Sequence, residues 1–239
     1  KLPFVSQFAV LPVLANDIDT TVIDQKSANL ALRVNFVPVL ASISKTKNRP
    51  LTDYQWVSVE ALQVQWLMGW FKRWFCHRDT ILVKGEHEPE YFAATDSEPA
   101  KIVFAHGFFA SALHEISHWC MAGQKRRLLN DFGYWYAPDG RNQQQQQQFE
   151  QVEILPQAIE CLLTLACNKP FSVSKDNLFA DFDTSQSTFE ADVQAQAVKF
   201  WQTGQKLSTD AKVLLSQLTK LRPLPLTSFD IYHNFIKVN

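Results

Sequence analysis

The pentapeptide His114-Glu115-Ile116-Ser117-His118 constrains this chain more than any other feature. Residues four apart on an α-helix are neighbours on one face, with Cβ atoms about 5–6 Å apart, so both imidazoles address one point. A first-row metal binds imidazole nitrogen at about 2.0–2.1 Å, so such a pair clamps a single ion without distorting the backbone. Glu115 lies about 100° further round the same helix and reaches a metal-bound water without having to be a ligand. The opposite face carries Ala112, Ile116, Trp119 and Cys120, so the helix is amphipathic and a buried spine holds the histidines in place. A histidine pair alone would be the polar face of an ordinary helix. The glutamate between the two, with small Ala110 and Ser111 ahead of them, favours the metal reading.

Two imidazoles leave a metal site incomplete, and a carboxylate is the expected third ligand for zinc or non-haem iron. Glu153 and Glu160 are the candidates. The proline at position 156 marks a favoured first turn, so a helix is expected from there to about residue 168. On that reading Glu153 sits where the chain enters the helix and is preferred over Glu160, which lies within the helix. A capping carboxylate at the helix start is the plain alternative for Glu153. His106, just ahead of the site helix, reads as a substrate contact or a satisfied core histidine, with a hydrogen bond to a ligand less favoured. Cys120, two positions after His118, faces away and is not counted as a ligand.

At 239 residues the chain can bury one sizeable core, and one main domain is expected. Hydrophobic residues at 46% and charged residues at 20% exclude a disordered or membrane-spanning composition. A net charge of −1 and a pI near 6.7 give no global attraction to nucleic acid or to an anionic membrane. Cys76, Cys120, Cys161 and Cys167 lack metal-type spacing and read as reduced thiols, which places the expected location in the cytoplasm. Residues 1–50 are short apolar runs ending in a polar linker and are assigned to an extension of unknown role, with the main domain at 51–239.

Within that domain a helix is expected over 51–75, with Trp56, Leu62, Trp66, Leu67, Trp70 and Phe71 forming an aromatic stripe for packing. Three short strands should follow in TILVKG, at the end of GEHEPEYF and in KIVFAHG. The site helix is expected over about 109–121, with Gly123 as its C-cap. GYWYAPDGR is an aromatic turn. Gln143 to Gln148 read as a solvated loop or an extended helix start, and two amphipathic helices close the chain.

The stretch KIVFAHGFFASALHEISHWCMAG, then FGYWYAPDGR and FEQVEILPQA, closely resembles the bacterial elongation factor P hydroxylase family. KGEHEPEYF and the triplet DNL at 176–178 agree as well. The similarity runs from about Tyr54 to the C-terminus. The first fifty residues match nothing in it, and the glutamine run is longer than the family's usual linker. The resemblance implies a helix-rich α+β fold related to metallopeptidases of the zincin type, with the metal-bearing helix beside a small sheet. It implies a mononuclear Fe(2+) site of two histidines and one carboxylate, here His114, His118 and Glu153, with dioxygen as cosubstrate. The implied substrate is elongation factor P carrying a β-lysylated lysine, which the enzyme hydroxylates.

Such a side chain is long and cationic, so its pocket should offer carboxylates and aromatic faces. Glu86, Glu88 and Glu90 from the acidic loop, with Tyr134, Tyr136 and Asp139 from the aromatic turn, are the candidates. In the hydroxylase reading Glu115 tunes bound water or positions substrate. The rival is a zinc metallopeptidase, where Glu115 deprotonates a zinc-bound water. A structural zinc normally takes four protein ligands, and no fourth is evident here.

Overall fold

A computed structural model of the chain describes residues 53–133, 140–175, 177, 182, 187–220 and 231, with side chains from Glu60 onward. Residues 1–50 and the candidates Tyr134, Tyr136 and Asp139 lie outside the described residues.

Helix α1 (Asp53–Phe75) turns Val64, Leu67, Phe71, Trp74 and Phe75 inward at three- and four-residue steps, which is the apolar stripe of a helix lying on a core. Trp70 is also buried, but Leu62 leaves 53% of its surface exposed, so the stripe runs beside it rather than through it. The three expected strands form: β1 (Thr80–Lys84), β2 (Glu90–Phe92) and β3 (Ala100–Phe104). Their order is β1-β3-β2, with β1 parallel to β3 in the register Leu82↔Ile102 and β2 antiparallel to β3 with Tyr91↔Ile102. Leu82, Tyr91 and Ile102 share this row and are buried together.

The outer edge of β2 is closed by the chain itself, since Tyr91 N–H donates to Asp131 Oδ1 at 3.0 Å and Ala93 N–H to Asn130 Oδ1 at 2.9 Å. Asp131 and Phe132 adopt left-handed φ of 47° and 56° to present those side chains, and Phe132 stacks on Tyr91 with centroids 4.1 Å apart.

After β3, His106 and Gly107 take positive φ and turn the chain into helix α2 (Phe109–Arg126), the site helix. Gly107, at φ 72°, takes the left-handed conformation that glycine adopts without the strain a side chain would bring. No side chain of its own caps α2. Instead Glu60 of α1 accepts from Phe109 N–H at 2.7 Å, satisfying one of the orphan donors of the first turn. Gly123, at φ 66°, breaks the helical run where a C-cap was expected, and a further turn continues to Arg126.

The next helix departs from expectation. α3 runs Gln143–Ala166, and Pro156 stands inside it rather than at its start. The glutamine run supplies its first turns. The Asn142 side chain accepts from Gln145 N–H while the Gln145 side chain accepts from Asn142 N–H, a reciprocal cap that outweighs the missing proline N–H as the mark of a start. Glu153 and Glu160 therefore stand two turns apart on one helix face. Helices α4 (Phe189–Thr203) and α5 (Thr209–Thr219) form as expected, α4 packed along α3 and α5 against α3 and α2. The result is a helix-rich α+β fold with a small mixed sheet on one side of the site helix and α3 on the other. Among the described residues no helix is long and apolar enough to cross a membrane.

Candidate metal centre

On α2 the apolar residues Ala112, Leu113, Ile116, Trp119 and Cys120 are buried, which fixes the roll of the helix and turns His114 and His118 toward α3. Their Nε2 atoms lie 3.1 Å apart. From α3, Glu153 Oε1 stands 3.3 Å from His118 Nε2 and Oε2 stands 3.8 Å from His114 Nε2. Two atoms bound to one ion at 2.0–2.2 Å, at tetrahedral or octahedral angles, are about 2.8–3.6 Å apart. The N–N and nearer N–O separations fall in that range, so the donor set fits a single first-row cation with little movement. Among the described residues His114, His118 and Glu153 are the group able to do this, with ligand atoms within 4.8 Å of one another.

Glu160 lies on the other side of the His114 ring, with Oε2 2.8 Å from Nδ1. Glu153 is held by Gln157, one turn on, whose Nε2 donates to Glu153 Oε2 at 3.3 Å. The same amide donates to Ser174 C=O at 2.8 Å and accepts from Ser174 N–H at 2.9 Å. Gln157 thus ties the segment after α3 to the carboxylate, and it is wholly buried.

The electrostatics follow from burial and the density of charge. Burial disfavours a charged His114, but the Glu160 carboxylate, its hydrogen bond, Glu115 and Glu153 overcome this and lift His114 to about 10. Burial likewise opposes a charged Glu153, yet the charge and hydrogen bond of His118, with His114 and Gln157, hold it down at about 2. Burial raises the Glu115 carboxyl above the ordinary glutamate range, partly opposed by the two histidines. Glu115 makes no hydrogen bond among the described residues. The side chains of His114 and His118 stay 24% and 12% exposed while Glu153 is 2% exposed, so solvent reaches the cluster from the imidazole side.

Other candidates fall elsewhere. His106 is exposed, its ring 6.0 Å from that of Phe108, so it is not a core histidine. Its left-handed backbone at the β3–α2 turn swings it outward. Glu86 and Glu88 are exposed in the β1–β2 loop, and Glu90 is exposed at the start of β2. Cys120 is fully buried on the far side of α2, near Arg127 and Asp210. None of the four cysteines is in a disulfide.

Sequence reasoning missed Gln157, and it missed Glu60 as the cap of the site helix. The Asn142-x-x-Gln145 pattern was the available signal. Once α3 starts at residue 143, Glu153, Gln157 and Glu160 become one polar stripe at i, i+4 and i+7 within the mostly apolar second half of the helix. For Glu60 there is no local signal, because its partner is 49 residues away.

Comparison with known proteins agrees with the resemblance drawn from the motifs. A family model described as elongation factor P hydroxylase matches residues 70–226. The protein named elongation factor P lysine hydroxylase from Haemophilus influenzae is 42% identical over 156 residues, covering 64% of this chain and 87% of that protein.

Proposed function

This chain belongs to the elongation factor P hydroxylase family, and from that premise we propose that it hydroxylates the β-lysylated lysine of elongation factor P at a mononuclear non-haem iron site. His114, His118 and Glu153 hold the ion. The observation that carries the reading is the triangle of donor atoms, two Nε2 atoms 3.1 Å apart with a buried carboxylate oxygen 3.3 Å from one of them. Three ligands on one side leave positions open on the other, the pattern of iron oxygenases with two histidines and one carboxylate. Bound there, ferrous iron supplies the redox chemistry that activates dioxygen. One oxygen atom would enter the substrate C–H bond, and an external reductant would provide the two electrons that, with two protons from solvent, take the other to water.

The protein's own groups do the rest. Glu115, the intervening residue of the motif, tunes bound water or positions substrate beside the site, and burial shifts its carboxyl toward the neutral form. The acidic loop with Glu86 and Glu88, together with Tyr136 and Asp139, meets the cationic side chain. We read the arrangement of the site helix beside a small mixed sheet with an antiparallel edge strand as zincin-like, and residues 51–239 as the hydroxylase domain.

The test is metal analysis of protein purified without chelator, followed by aerobic incubation with β-lysylated elongation factor P. Iron occupancy and a mass gain of one oxygen, abolished in His114→Ala, support the proposal. Zinc with cleavage of an unstructured peptide, lost in Glu115→Gln, establishes a metallopeptidase instead.

A further inference from the structure

Glu160 is a buried carboxylate, 7% exposed, that the ligand triangle does not use. It lies seven residues beyond Glu153 on the same face of α3, yet the two meet opposite sides of the His114 ring. Glu153 faces Nε2, and Glu160 Oε2 is 2.8 Å from Nδ1. A carboxylate only accepts hydrogen bonds, so the proton in that contact sits on Nδ1. A neutral imidazole with its proton on Nδ1 has its lone pair on Nε2, the atom that faces His118 and Glu153. The ring itself stands between Glu160 and the point where the ligand atoms converge.

We infer that Glu160 is a positioning residue: it selects the Nδ1-protonated tautomer of His114 and fixes the ring so that Nε2 meets the ion. This rests on the metal reading above, and it separates the two carboxylates of α3 into a ligand and an orienting group. Such partners of a ligating histidine also raise its basicity, and losing one weakens metal affinity by about 10- to 100-fold.

The experiment uses the full chain, freed of metal, with Co2+ as the probe. Three readouts are taken: the Co2+ dissociation constant, the visible Co2+ spectrum that reports ligand number, and the nitrogen NMR signals that report which His114 nitrogen carries the proton once diamagnetic Zn2+ is bound. Glu160→Ala is expected to weaken Co2+ about 10- to 100-fold, to leave the Co2+ spectrum unchanged, and to lose the fixed Nδ1–H signal. Glu160→Gln keeps an acceptor oxygen and is expected to retain that signal and recover most of the affinity. Glu153→Ala is expected to change the spectrum itself.

A spectrum altered by Glu160→Ala but not by Glu153→Ala would make Glu160 the ligand and overturn the inference. Wild-type affinity in Glu160→Ala would overturn it too. If the alanine variant does not fold, Glu160→Gln decides alone, since loss of its Nδ1–H signal sinks the assignment and retention supports it. No readout involves hydroxylation. A chain that behaves as expected toward Co2+ but adds no oxygen to elongation factor P therefore refutes the substrate reading and leaves this one standing.

Discussion

In the metal-free protein His114 is held charged, by Glu160 first and by Glu115 and Glu153 after it, and this sets how metal binding depends on pH. His114 is raised from 6.5 to about 10, so the stability it contributes is complete below 6.5 and is lost as pH rises through 10. Glu153 is lowered from 4.5 to about 2, so its contribution is complete above 4.5 and is lost as pH falls through 2. A cation must displace the His114 proton to reach Nε2. We expect the logarithm of divalent-metal affinity to rise by about one per pH unit between roughly pH 7 and 9, with about one proton released per ion. Calorimetry in buffers of different ionisation enthalpy measures that proton, and an affinity flat across the range would refute it. Glu115→Gln is expected to keep the metal but slow turnover by at least about 100-fold, the usual contribution of a placed proton carrier. At this scale the site was half legible. The histidine pair is a local pattern that spacing reveals, whereas Glu153 against Glu160 depends on how two helices pack, which no short window of sequence contains.

α3 is where a single residue misleads. Pro156 reads as a start because its nitrogen has no hydrogen to donate, but that argument is local, and the Asn142–Gln145 cap and burial from Gln157 onward favour the longer helix. The amphipathic helices and the three strands were legible because their periods repeat over several turns or alternate cleanly. Gln157 joins this helix to the segment that follows it. Gln157→Leu leaves the main-chain groups of Ser174 without partners and removes a donor from the Glu153 carboxylate. The variant is expected to lose about 1–3 kcal/mol of stability and to bind metal more weakly even where it is folded, as thermal melts and Co2+ titration would show. Metal affinity equal to wild type would mean that Gln157 serves only to dock the segment. In the β1–β2 loop, Glu86→Lys with Glu88→Lys is expected to raise the KM for modified elongation factor P several-fold without changing metal content. An unchanged KM would remove this loop from the substrate site.

Across the whole molecule, the site helix is clamped from behind by a charge network that joins segments distant in sequence. Asp210 on α5 accepts from Arg127 at 2.6 Å and from Arg78 at 3.1 Å. The Arg127 guanidinium also lies over the Trp119 ring at 3.5 Å and donates through Nε to Trp119 C=O at 2.9 Å. The Arg127 carbonyl in turn accepts from Tyr91 Oη at 2.8 Å, which ties the network to the sheet. Asp210 is thus shared by two arginines that come from the α1–β1 connection and from just past the end of α2. Its neutralisation leaves Arg127 without its partner where little solvent screens it, since the Asp210 and Arg127 side chains are each only 10% exposed, while Arg78, at 31%, keeps more of its hydration. Breaking one member of such a buried pair costs about 3–5 kcal/mol, far more than an exposed ion pair contributes. Asp210→Ala should therefore destabilise the fold by about 3 kcal/mol and lower metal affinity only indirectly, through the population of unfolded chain. Denaturant titration with and without Co2+ separates the two effects. If the folded fraction of Asp210→Ala binds Co2+ as tightly as wild type, the network holds the scaffold. If that folded fraction binds more weakly, the clamp behind α2 also sets the geometry of the histidines in front of it.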